Sequence, residues 1–310
     1  MKQLILSLLA FVFFTNGCQK QGKEKRIAIL TPTSHPSLEQ IEKGFIETMK
    51  EKGSYQFKTY NAQGSQILLR SEIKEIISKE YDLIFTIGTL VSTMVKEIFT
   101  KENLDTPIVF TCINDPVGMG IVETETSSGN MMTGVKELLD FEEELSILQK
   151  YKKDLSSLLL VYNPREPGLE KNRKEIEEIC TQKGLRLEIV QVFHANELQI
   201  KLSPFLSKVD GMMVLKDNTV VSGLDVLVKL ANRHKIPLLA SDLDSPDKGA
   251  ALGYGVYEID FGIEGAKKAL LILEEGKTPS EIPVTPISHF ALRINKEAAQ
   301  KQGLSLGRHP

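Results

Sequence analysis

The sequence of 310 residues predicts an α/β chain of two similar lobes, each a parallel sheet flanked by helices. Three observations carry that prediction. From Arg26 onward, short apolar runs alternate with helix-length amphipathic ones. The runs YDLIFTIG (81–88) and TPIVFTC (106–112) are apolar nearly throughout, as strands buried on both faces are. The alternation breaks between Asn114 and Gly129, a stretch rich in Gly, Asp, Pro, Ser and Thr, and then restarts.

The elements follow in order. RIAIL (26–30) reads as a strand, and residues 38–50 put Leu38, Ile41, Phe45 and Met49 on one helical face. YQFKTY (55–60) is a strand, 66–78 a helix, 81–88 a strand, 89–100 a helix and 106–112 a strand. After the break, MMTGV (131–135) is a short extended piece. The second series has a helix over 140–152, strand 156–163, and helix 168–183 closed by Gly184. Strand 185–192, a short helix near 195–206, strand 210–215, one helix over 219–233 and strand 236–241 follow. An extended segment (249–256) and a helix (258–274) complete the series. Each array has about four strands. The pieces near 131–137, 250–257 and 285–292 are natural crossing points between lobes. One lobe is therefore expected to take 26–136 and 256–284, the other 137–255 and 285–310.

The first residues, MKQLILSLLAFVFFTNGC, carry Lys2 and an apolar run from Leu4 to Phe14, too short to span a bilayer as a mature helix. They fit an export signal over 1–17, with 18–25 as a tether. Thr15-Asn16-Gly17-Cys18 resembles a bacterial lipoprotein processing site, although Thr15 stands where such sites usually carry Leu. Lipidation at Cys18 would anchor the chain to a membrane. Cys112 and Cys180 read as small core residues. The net charge of −3 is spread over both signs, so no basic stripe points to nucleic acid. The five histidines are scattered and no Cys/His cluster has metal-ligand spacing. No metal and no cofactor are expected.

The strand ends carry the functional signal. They are Ser34-His35-Pro36, Asn61 to Gly64, Gly88-Thr89, Asn114-Asp115, Asn163, Asp217-Asn218-Thr219 and Ser241-Asp242. Each alone is a good helix N-cap. Together they line one cleft edge with helix N-termini pointing inward, which suits a carboxylate or a phosphate. Thr89 is the leading anion candidate, and Gly88 lets a ligand approach the backbone. Neither GxxxxGK[ST] nor GxGxxG accompanies these ends, so a nucleotide is not the first choice. Asp242 and Asp115 are the acidic members, although Asp115-Pro116 followed by Gly118 also makes a turn. Donors on one lobe and a carboxylate on the other suit a zwitterion, with its ammonium at Asp242. No Gly-x-Ser-x-Gly elbow is present and no histidine has a nucleophile at motif distance, so the chain reads as a binder and not an enzyme.

NAQG (61–64), DPVGMGIV (115–122), KVDGMMVLKDNTVVS (208–222), IPLLASD (236–242) and the block from Gly253 to Val284 resemble the ABC-transporter substrate-binding proteins for aromatic amino acids. The resemblance covers nearly all of 26–305. It implies a type I periplasmic-binding fold with three crossover segments, closing on its ligand like a hinge. It places Asn218, Thr219 and Asp242 at the cleft, Thr89 at a Ser/Thr position, and His35-Pro36 in the first loop. The implied role is an exported, lipid-anchored monomer on the periplasmic or outer face, delivering its ligand to a permease and its ATPase. With no Trp in the chain, Phe45, Phe110 or Tyr254 would supply the slot for a ligand ring. A ligand-sensing lipoprotein and a cleft hydrolase using Asp115 or Asp242 are the alternatives.

Overall fold

The computed structural model describes residues 24–306. The expected export signal, Cys18 and most of the tether lie outside the described residues. The first lobe runs through β1 (Lys25–Thr31), α1 (Pro36–Lys52), β2 (Tyr55–Asn61), α2 (Gln66–Ser78), β3 (Leu83–Ile87), α3 (Thr89–Glu102), β4 (Ile108–Ile113) and β5 (Met132–Glu137). The second takes α4 (Phe141–Tyr151), β6 (Ser157–Tyr162), α5 (Leu169–Gln182), β7 (Arg186–Gln191), α6 (Leu198–Leu202) and β8 (Gly211–Val214). It continues through α7 (Asn218–Val221), α8 (Leu224–His234), β9 (Leu238–Ala240) and β10 (Leu252–Gly255). The chain returns to the first lobe for α9 (Glu258–Leu273) and β11 (Thr285–Ile287), and to the second for β12 (Ala291–Ile294) and α10 (Lys296–Lys301).

Each lobe holds a six-stranded sheet, in the orders β11-β5-β4-β3-β1-β2 and β12-β10-β9-β8-β6-β7. All the pairings are parallel except that of β12 with β10. The sequence suggests about four strands per lobe. The additional strands include β11 and β12, which are short and partly exposed and so carry no apolar run. The boundary expected after 284 falls just before β11. Because β11 pairs with β5, the first sheet extends to Ile287 and the third crossing lies between β11 and β12.

The single helix expected over 219–233 is two helices, α7 and α8, interrupted at Ser222-Gly223. Gly223 packs closely against a segment distant in sequence: a Cβ there would crowd Leu198 and sit 3.2 Å from Ala195 Cβ. Glycine also costs about 1 kcal/mol inside a helix relative to alanine. The helix expected near 195–206 shrinks to a 3-10 turn at Ala195–Glu197 and the short α6.

Both faces of each sheet are covered by apolar side chains. Phe45 and Phe110, two of the residues expected to hold a ligand ring, are fully buried in this core. Phe45 stacks on Phe85 with ring centroids 3.9 Å apart. No helix among the described residues is long and apolar enough to cross a membrane.

Helices α1 and α9 pack backbone to backbone where Gly44 meets Ile259 and Gly262 meets Ile41 and Phe45. A Cβ on Gly262 would lie 2.6 Å from Phe45 N and closer still to Ile41 O, both backbone atoms with no flexible end to yield. Gly262→Ala gains about 1 kcal/mol of helix propensity but forces two helices apart, an overpacking that costs about 1–3 kcal/mol. The variant is expected to unfold at lower urea concentration with an unchanged m-value. An equal or higher midpoint would show that the helices can separate freely.

Candidate ligand-binding cleft

The carboxyl ends of the two sheets face one another across a cavity of about 600 Å³. That is the size of sites that enclose small molecules. Its first-lobe wall includes Ser34, His35, Gly88, Thr89 and Leu90, and its second-lobe wall includes Asn163, Glu166, Phe193, Asn218, Thr219 and Asp242.

On the first wall, β3 ends at Ile87 and Gly88 turns the chain into α3 with φ 89° and ψ 161°. That positive φ favours glycine. A Cβ there would meet nothing within 4 Å, so the backbone is open to the cavity. Among the described residues no side chain caps α3, which leaves the first-turn N–H groups available to an anion. His35 caps α1, its Nδ1 accepting from Ser37 N–H at 3.2 Å, while its buried Nε2 has no partner among the described residues. Burial, followed by nearby Lys248, lowers the His35 pKa against the pull of Asp242, Asp244 and Glu39. Ser34 Oγ accepts from Asn61 Nδ2 at 2.8 Å.

On the second wall the triplet after β8 divides. Asp217 is the N-cap of α7 and accepts from Val220 N–H at 3.0 Å and from Asn163 N–H at 2.5 Å. Asn218 and Thr219, expected to meet a ligand, already hold a protein carboxylate. Glu166 accepts from Asn218 N–H (3.1 Å) and Nδ2 (3.0 Å), and from Thr219 N–H (2.8 Å) and Oγ1 (2.9 Å). Asn163 reinforces the arrangement, donating from Nδ2 to Thr219 Oγ1 at 2.9 Å. Asp242 lines the cavity, but its carboxylate closes the following turn. It accepts from Asp244 N–H (2.8 Å), Ser245 N–H (2.6 Å) and Ser245 Oγ (2.7 Å).

Asp115 and Tyr254 do not line the cavity. Asp115 pairs with Lys171 of the other lobe at 2.5 Å and accepts from Gly118 N–H at 2.8 Å. The lysine, followed by that N–H, lowers its pKa. Tyr254 lies in β10 and stacks on Phe290, centroids 5.3 Å apart and planes 5° apart. Phe193 does line the cavity, and its ring carries Arg165 at 4.5 Å and Lys201 at 5.2 Å.

The strand-end rule passes over three charged residues that also line the cavity. Lys216 follows β8, Glu137 ends β5 and Glu258 begins α9. Lys216 Nζ lies within ion-pair distance of both glutamates, 2.6 Å from Glu258 Oε1, and 5.4 Å from the Phe261 ring centre. Burial opposes the lysine charge, but Glu137 and Glu258 outweigh it and hold the pKa well above the ordinary value. Cys112 stands beside them at a bulge in β4, with φ 57°. Among the described residues no group of three His, Cys, Asp or Glu side chains converges as a metal site would.

Comparison with known proteins gives a consistent result. The sequence model of the family described as ABC transporter substrate binding protein matches residues 26–308. A tyrosine-binding protein of Clostridioides difficile is 27% identical over 280 residues, covering 89% of this chain and 80% of that protein. An uncharacterized protein of Rickettsia prowazekii is 27% identical over 284 residues, covering 90% and 86%. Among solved structures, an ABC domain from Streptococcus pneumoniae in complex with L-Trp superposes with a TM-score of 0.85 at 24% identity, covering 92% of this chain and 96% of that one. A ligand-free, open substrate-binding protein with adhesive properties from Clostridium difficile gives 0.71 at 24% identity, covering 92% and 96%. A structure described as a sugar ABC transporter from Yersinia enterocolitica gives 0.67 at 13% identity, with 90% and 85% covered, and extends the likeness in fold to type I periplasmic binding proteins.

Three buried carboxyls give the fold a pH signature. Burial raises Glu144 to about 8, against the hydroxyl of Ser241 that donates to it at 2.7 Å. Burial and the adjacent Glu166 raise Asp217 to about 8. Burial, opposed by Lys216 and aided by Glu137, raises Glu258 to about 7. In the unfolded chain these groups lose their protons near pH 4–4.5, about the ordinary carboxylate range. Between there and about pH 8 the folded state holds more protons, so stability falls as pH rises through that window. The melting temperature is expected to be higher at about pH 5.5 than at about pH 8.5, and Glu144→Gln is expected to reduce that difference. A melting temperature that rises over the same interval would contradict the assignment.

Proposed function

The chain belongs to the ABC transporter substrate-binding protein family, and on that premise we propose that it closes its two lobes on an aromatic amino acid and delivers it to an importer. The observation that carries this reading is the cavity's chemistry. An uncapped helix N-terminus stands on one wall, carboxylates stand opposite and below, and an apolar border includes Leu69, Leu90, Val221 and Phe193. A zwitterion needs the first two features, and a ring of 150–250 Å² needs the third. The tyrosine-binding and L-Trp-bound relatives support the same ligand class. The ligand carboxylate would take the N–H groups at Thr89, and its ring would lie against Phe193 at the outer end, where β2 and β7 form the sheet edges.

The importer reading extends to a permease and ATPase as partners. It also extends to export by the first 17 residues, with Cys18 as the anchoring position.

Calorimetry against single amino acids tests the ligand class. L-tyrosine, L-tryptophan or L-phenylalanine is expected to bind with measurable heat, and aliphatic amino acids more weakly. Phe193→Ala is expected to weaken the aromatic ligand by about two- to tenfold, the usual worth of an aromatic contact beyond its area, with an unchanged melting temperature. No heat with any of the three aromatic amino acids would end the aromatic assignment.

A further inference from the structure

The ionic cluster at the base of the cavity contains one more carboxylate than ammonium. The Glu137 and Glu258 side chains are 9% and 5% exposed, and Lys216 reaches both. Glu137 Oε1, Glu258 Oε1 and Lys216 Nζ are buried and, among the described residues, meet one another and no further partner. All three line the cavity. Glu137 and Lys216 also share a recess of about 70 Å³ with Thr89, at the N-terminus of α3.

The neighbouring groups do not supply the missing positive charge. Asp242, Cys112 and Glu137 face Glu258 along with Lys216, and Glu144 approaches Lys216 from α4. Asp242 is turned into its own loop by Asp244 and Ser245. The Cys112 thiol is kept protonated by burial and by the two glutamates. A buried carboxylate without a counter-charge either keeps a proton or recruits a cation.

We propose that the α-ammonium of an amino-acid ligand is that cation, seated against Glu137 and Glu258, and that its arrival expels one proton from the cluster to solvent. The inference rests on the amino-acid reading above and moves the ammonium from Asp242 to the cavity base. It explains why the anion-binding N-terminus at Thr89 opens into the same recess. Carboxylate and ammonium are adjacent on one carbon, so their subsites must be adjacent too. It also gives Glu258 its role: raised to about 7 without a ligand, it is the group that yields the proton.

The test is calorimetry of the full chain with L-tyrosine, L-tryptophan and L-phenylalanine at pH 6, 7 and 8, in buffers of different ionisation enthalpy. If only the deprotonated cluster binds, Kd falls about tenfold between pH 6 and pH 8, and proton release approaches one per ligand at the lower pH. Glu258→Gln is expected to remove both the pH dependence and the proton release. If that variant does not fold, 3-(4-hydroxyphenyl)propionate, which lacks the ammonium, serves instead. It is expected to bind the unaltered chain at least about thirtyfold more weakly than L-tyrosine at pH 8 and to release no proton. Binding of an aromatic amino acid with constant Kd and no buffer-dependent heat overturns the subsite while leaving the ligand class intact. Failure of all three to bind overturns both.

Discussion

Moving an ammonium and two carboxylates out of water costs several kcal/mol per ion, and their attraction offsets that only where geometry is good. Lys216, Glu137 and Glu258 do this where the lobes meet. Lys216 comes from the second lobe, after β8. Glu137 closes β5 just before the chain first leaves the first lobe, and Glu258 opens α9 just after it returns. The cluster therefore joins two of the three passages between lobes. Apolar side chains of similar size would hold such a junction as well or better, since replacing a buried ion pair by them is often neutral or stabilising. Charge retained at this point is better explained by the cleft than by the fold.

The other contacts between lobes are of a different kind. Ser37 Oγ donates to Asp244 at 2.8 Å on one side of the cleft. Lys171 meets Asp115, and Asn114 Nδ2 donates to Asn172 at 3.0 Å, on the other. Lys171 has a side chain 63% exposed. Exposed ion pairs contribute about 0–1 kcal/mol, and single neutral hydrogen bonds about as much. Such contacts are readily exchanged for water. Asp115 thus joins the two lobes without touching the cavity.

The parts of this architecture legible in the sequence are those with local causes. Buried parallel strands are continuous apolar runs, and their covering helices repeat every 3.6 residues, so most of β1 to β10 can be read directly. Parallel topology then turns strand ends into places. This is why Ser34, His35, Gly88, Thr89, Asn163, Asn218, Thr219 and Asp242 all reach the cavity wall. What those residues touch is not local. Glu166 arrives from the loop after β6 to occupy the donors of Asn218 and Thr219, and no spacing rule links the two segments. The close packing of Gly223 against Leu198 and Ala195 is equally non-local. Lys216 follows a buried strand in the same way as the polar residues do, but a charge there reads as solvated until the opposite lobe brings carboxylates to it. Tyr254 has the right chemistry for a ring slot, yet Phe290, on the last crossing, holds its face.

Cys112 shows how far the local backbone bends to this site. It is one of the few non-glycine residues with positive φ, and the register of β4 against β5 shifts between Thr111 and Ile113 around it. A left-handed conformation costs a non-glycine residue roughly 1–3 kcal/mol. A bulge lets a strand re-aim a side chain without losing its pairing beyond. Here the bulge presents a thiol to the cavity beside Glu137, Glu258 and Lys216. Burial, Glu258 and Glu137 hold that thiol well above its ordinary pKa, so it remains neutral. An aspartate or a thiolate at this position would add another unbalanced negative charge to the cluster. A small, polarizable, neutral group leaves the excess at one carboxylate, which a single ammonium can satisfy.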